Sequence, residues 1–105
     1  MTADTITIPG VLPVQILAAL GITQSRLEIL RILLSQRETT TAELIGETGL
    51  SMNGVRQHLQ ALVGCGLVEG RRATHPRGAG PITYWRAAAD HIEDQMDQLC
   101  RYLLA

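Results

Sequence analysis

A chain of 105 residues with a net charge of −1 is one domain, long enough to bury roughly 60 to 70% of the surface its extended form exposes. Hydrophobic residues make up 46% and aromatics 3%, with no Phe, so the core is built from Leu, Ile, Val and Ala, which suits packed helices better than an aromatic-rich β-sandwich. Cys65 and Cys100 are too few for a secreted disulfide framework, and the longest apolar run, Ile16 to Leu20, is too short to span a bilayer. The expectation is a cytoplasmic protein with no membrane role and no targeting segment.

Residues 1–10, polar and Thr-rich up to Pro9 and Gly10, read as a flexible arm ahead of a single domain at 11–105. Val14, Ile16, Leu17 and Leu20 mark a short amphipathic helix that Gly21 stops. Thr23 is placed to cap the next helix, where Leu27, Leu30, Ile32, Leu33 and Leu34 are apolar enough for a central core element. That helix frays over Arg37 to Thr40. A third helix runs from Thr41 to Thr48, capped by Thr40 or Thr41, with Glu43 at the favourable end of its dipole. After Gly49, Leu50 and Ser51, a fourth helix covers Met52 to Val63, with Ser51 as its cap and Val55, Leu59 and Leu62 as its inward stripe.

Leu67 to Glu69 and Ile82 to Trp85 are strand candidates. Arg71 to Pro81 between them has the Gly and Pro content of a long turn. Tyr84 and Trp85 alternate faces, so one packs on the core. A last helix, about 87–104, sets Ile92, Met96, Leu99 and Leu103 at spacings of four, three and four, the seam of a helix that pairs with another.

Charge is unevenly divided. Residues 49–86 hold five arginines (Arg56, Arg71, Arg72, Arg77, Arg86) against Glu69 alone, a local net of +4, whereas residues 1–48 carry −2 and residues 87–105 carry −3. A near-neutral total thus conceals a basic middle third, the electrostatic footprint of a phosphate-bearing partner.

Thr41-Ala42-Glu43-Leu44, Gly49-Leu50-Ser51, Val55, His58-Leu59, Leu62 and Gly66-Leu67-Val68 follow a recognisable order: a Glu-Leu helix, a Gly-Leu-Ser turn, a helix carrying Val and His-Leu, and a Gly-Leu-Val entry into a hairpin. In this the chain resembles winged helix-turn-helix transcriptional regulators of the ArsR-like family, over about Ser25 to Arg86. The resemblance implies a mostly α (α+β) fold with about five helices and a two-stranded β-hairpin wing. The helix-turn-helix falls at 41–63, the wing at 67–86 and a dimerisation helix at 87–104. Two metal sites known among such proteins lack their ligands here: residues 40–48 contain no Cys, and the last helix has Asp90 and His91 adjacent with no second His after them. No metal and no cofactor are expected, and the identity of any effector is left open.

With Val55, Leu59 and Leu62 inward, a 100° step places Asn53, Gln57 and Gln60 outward, flanked by Arg56 and His58. Amides pair with adenine edges and Arg with guanine or phosphate. Asn53 and Gln57 are therefore expected to read bases, Arg56 and Gln60 to divide between bases and backbone, and Ser51 to cap its helix and donate to phosphate. Arg71, Arg72, His75 and Arg77 in the wing are expected on the backbone, with Arg77 in the minor groove. Leu17, Leu20, Ile92, Met96, Leu99 and Leu103 form the expected dimer surface. Cys65 and Cys100 are expected to be small buried hydrophobes.

No nucleophile, base and orienting group stand together, which argues against an enzyme. The favoured reading is a homodimeric repressor that binds double-stranded DNA at a palindromic operator. A plasmid or phage accessory protein for partition or recombination, and a winged-helix protein-interaction module, are the alternatives.

Overall fold

A computed structural model describes residues 13–74 and 80–105, Val14 by its backbone alone. The expected arm at 1–10, together with His75 and Arg77, lies outside the described residues. The first helix, α1 (Val14–Ala19), ends where Gly21 takes a left-handed φ of 72°, which lets the Ile22 N–H return to the Leu17 carbonyl at 2.9 Å. Helix α2 (Gln24–Ser35) follows Thr23 and buries Ile29, Ile32 and Leu33. Leu27 and Leu30 are half-buried. Leu34 lies on the opposite side of the helix and is exposed, so the apolar run of α2 exceeds what the core takes up.

Where fraying was expected, the chain forms a third strand. Thr39 and Thr40 are β1, pairing antiparallel with Trp85 and Tyr84. The β-branched side chains favour the extended backbone, and Thr39, completely buried, hands its hydroxyl proton to Glu43 Oε1 at 2.9 Å. Thr40 then caps α3 (Thr41–Thr48) in a full capping box: its hydroxyl accepts from the Glu43 N–H while the Glu43 carboxylate accepts from the Thr40 N–H. Gly49, at φ 74°, closes that helix.

Ser51 Oγ accepts from the Gly54 N–H at 3.0 Å and opens α4 (Met52–Gly64), which buries Val55, Leu59 and Leu62 as its spacing requires. Strands β2 (Val68–Thr74) and β3 (Pro81–Ala87) are longer than the sequence suggests, because Arg71 to Thr74 stay in the ladder and do not join the turn. The sheet order is β1-β3-β2. The wing is thus anchored to the body by a third strand. Ile29, Ile32, Leu33, Leu44, Val55, Leu59, Leu62 and Val68 form one core, with Trp85 and Ala87 packed against it.

Helix α5 (Ala89–Leu104) starts two residues later than expected and buries only Ile92. Every residue from Glu93 onward is exposed. No helix among the described residues is long and apolar enough to cross a membrane.

Candidate nucleic-acid interface

The candidate surface begins with α4. Its inward stripe fixes the rotation of the helix, and Asn53, Arg56, Gln57 and Gln60 are consequently all exposed. None of the four makes a side-chain hydrogen bond or ion pair with any described residue. An exposed row of amides and one guanidinium, with no acid on the helix, can offer its donors and acceptors to a groove. Ser51 uses its oxygen as the helix cap and keeps its proton to donate.

His58 is placed differently. It is half-buried, and its Nδ1 accepts from Arg26 Nε at 3.0 Å, 32 residues away in sequence. Burial, reinforced by the Arg26 charge, holds its pKa below 6.5. At neutral pH the ring is therefore uncharged, with its proton on Nε2, so His58 offers a hydrogen-bond donor and no cation.

Strand register sorts the wing's arginines onto two faces. Directly paired residues share a face, so Gly70, Arg72, Thr83 and Trp85 lie on one side of the sheet and Glu69, Arg71, Tyr84 and Arg86 on the other. Trp85 packs on the core and donates from Nε1 to Thr41 Oγ1 at 3.0 Å, which identifies the first side as the one turned to the helix-turn-helix. Gly70 makes this possible, since a Cβ there would sit 2.7 Å from the indole Cζ3.

On the other side the charges are already satisfied. Arg71 grips Glu38 with two hydrogen bonds, at 3.0 and 2.8 Å, and stacks 4.8 Å from the centre of the Tyr84 ring. This grip holds the Glu38 carboxyl below its usual pKa. Arg86 meets Glu69 at 2.6 Å. The five arginines of the basic stretch are therefore not one surface. Arg56 and Arg72 have no ion pair with any described residue, Arg71 and Arg86 are neutralised, and Arg77 lies outside the described residues. The sequence missed Glu38 as the partner of Arg71, because the β1 pairing that brings them together was not foreseen.

The expected dimer residues also divide. Ile92 is buried within the chain and Leu17 is half-buried, whereas Leu20, Met96, Leu99 and Leu103 are exposed. Cys65 and Cys100 are exposed, not buried as expected: Cys65 falls at the solvent-facing C-cap of α4, and Cys100 on the exposed stretch of α5. Among the described residues, no three His, Cys, Asp or Glu side chains gather as a metal ion would require.

A capped helix, a tight Gly-Leu-Ser turn and an outward polar helix beside an antiparallel hairpin constitute a winged helix-turn-helix, a DNA-binding architecture. The comparisons agree. The family model for bacterial regulatory proteins of the arsR family matches residues 23–70. A possible transcriptional regulatory protein of Mycobacterium bovis (fragment 1–100) superposes with a TM-score of 0.59 at 26% identity, over 88% of this chain and 91% of that one. A possible transcriptional regulator of Methanosarcina mazei Go1 superposes with a TM-score of 0.59 at 16% identity, over 97% of this chain and 96% of the other. A mutant MarR of E. coli gives 0.59 at 23% identity, over 82% and 62%. No curated protein matches the chain. The chain is a winged helix-turn-helix DNA-binding transcriptional regulator that is similar over residues 23–70 to the arsR family, and the proteins it matches are regulators, not enzymes.

Proposed function

We propose that the protein is a homodimeric repressor that reads a palindromic operator, each subunit laying α4 in a major groove and its wing on the adjoining backbone or minor groove. The observation that carries this reading is the outward row of Asn53, Arg56, Gln57 and Gln60, exposed and uncommitted to any described residue. Asn53 and Gln57 read bases, while Arg56 and Gln60 divide between bases and phosphate. Ser51 and the His58 Nε2–H donate to the backbone.

In the wing, Arg72 faces the helix-turn-helix. Arg77 and His75 are assigned to the backbone and minor groove from the sequence. Arg71 reaches phosphate only by leaving Glu38, and so contributes least. Dimerisation is supported by the exposed apolar side chains of α5 and α1: Met96, Leu99, Leu103 and Leu20 are between 42% and 56% exposed. A dimer of this kind sets two recognition helices about 34 Å apart, one turn of duplex. Occupying the operator then excludes polymerase.

Selection of bound duplexes from a random pool tests the reading, with an inverted repeat as the expected product. Gln57→Ala should change preference at one or two positions, whereas Arg77→Ala should weaken all duplexes alike and lower the salt slope by about one. Uniform losses for both substitutions would refute the division between base-reading helix and backbone-binding wing.

A further inference from the structure

Between the N-terminal turn of α3, the middle of α4 and strand β3 lies a cleft of about 320 Å³, with Thr41, Arg56, Thr83 and Trp85 in its wall. That is several times the ~30 Å³ share of one water molecule. It opens on the side of the sheet that faces the helix-turn-helix. Arg56 supplies a guanidinium that no described carboxylate neutralises. Glu43, in the same first turn of α3, folds back on Thr39 and Thr40 and does not line the cleft.

Thr41 is the informative residue. Its Oγ1 accepts the indole N–H of Trp85 at 3.0 Å, which fills one lone-pair direction of the oxygen and leaves the hydroxyl proton free to donate. Trp85 is itself fixed, because its ring lies across Gly70 and against the core. The hydroxyl is thus aimed by a rigid neighbour, and a donor so pre-aimed loses little freedom when it binds an anion.

We propose that this cleft seats one phosphate of the DNA backbone, held by the Arg56 guanidinium and the Thr41 hydroxyl, with Trp85 as the positioning residue that acts through Thr41. The proposal rests on the operator reading above and adds a contact made by the first helix of the motif, whose position relative to the wing Trp85 sets. A hydrogen bond from a neutral hydroxyl to phosphate releases no counterion, whereas the Arg56 contact does. The two partners of the phosphate therefore have different salt signatures.

The test is titration of a selected operator duplex into the full chain across a series of salt concentrations. Thr41→Val should weaken binding about tenfold, as expected for one hydrogen bond to a charged group, with the salt slope unchanged. Thr41→Ser should restore affinity to within about twofold, since it returns the donor. Trp85→Phe keeps a ring but removes the N–H; it should weaken binding, and combining it with Thr41→Val should add nothing further, because both act on one contact. Replacing one phosphate at a time by methylphosphonate should reveal a position whose loss costs the wild type more than Thr41→Val, which keeps only the Arg56 contact there.

Wild-type affinity in Thr41→Val, fully additive losses in the double variant, or no methylphosphonate position that distinguishes the two proteins would overturn the proposal while leaving the operator reading intact, provided Arg56→Ala still weakens binding. A wild type that selects no duplex overturns both.

Discussion

Helices α4 and α5 carry the same kind of pattern and meet opposite fates. Val55, Leu59 and Leu62 of α4 recur on one face and are buried by α2, α3 and β2. Ile92, Met96, Leu99 and Leu103 of α5 recur just as regularly, yet only Ile92 is covered, and Met96 and Leu103 remain 56% and 53% exposed. Periodicity states that a face is made to be covered but not by which molecule. The fold of the chain answers the question for α4 and leaves it open for α5.

The sharpest way to break this contrast is at Leu59. Leu59→Ala should cost about 2 to 5 kcal/mol, the range for truncating a buried Leu, seen as a lower urea midpoint at constant slope. A loss under about 1 kcal/mol would place α4 outside the core.

Next in size is the paired substitution Leu99→Glu with Leu103→Glu. Sedimentation should show a monomer whose circular dichroism and urea midpoint match the wild type within about 0.5 kcal/mol, because exposed positions contribute little to the fold of one subunit. A dimer that survives both charges assigns its interface elsewhere.

The capping box gives a smaller effect. Thr40→Ala should cost about 0.5 to 2 kcal/mol. Glu43 adds a pH signature: the Thr40 N–H, then the Thr39 hydroxyl, hold its pKa below 4.5. Its stabilisation is complete above the unfolded value and disappears as pH falls through the lower folded one. Glu43→Gln should therefore be less stable than wild type at neutral pH and converge with it in acid.

The smallest effect belongs to His58. Its folded pKa lies below 6.5 because of burial and then Arg26, so the unfolded chain binds the proton more readily and stability declines as pH falls from 6.5 through the folded value. Melting temperatures between about pH 5 and pH 8 should show this slope in the wild type and a flatter one in His58→Gln.

The helix-turn-helix was readable in the sequence because its signals are local. Thr40 and Ser51 cap, Gly49 takes the left-handed turn, and the apolar spacing of α4 fixes which side faces out. What escaped the sequence depends on pairing between distant segments. Strand β1 is two residues long and becomes a strand only because Tyr84 and Trp85 lie beside it. The separation of Arg71 and Arg86 from Arg56 and Arg72 needs the β2–β3 register, which counting charges cannot supply. The burial expected for both cysteines failed for a simpler reason: Cys65 sits past the last buried position of α4, and Cys100 sits on the exposed stretch of α5 after Ile92.

The attachment of α5 has a mechanical consequence. Ile92 is its single buried point, so the helix is a lever with a short foothold and a long free arm. From Ile92 to Leu104 at the end of the helix is about 18 Å at the usual rise, so a tilt of about 10° at the foothold moves the tip by about 3 Å. In the proposed dimer, two reading heads that stay in phase with a duplex cannot leave that angle to Ile92 alone. Accurate spacing must come from whatever grips the far end.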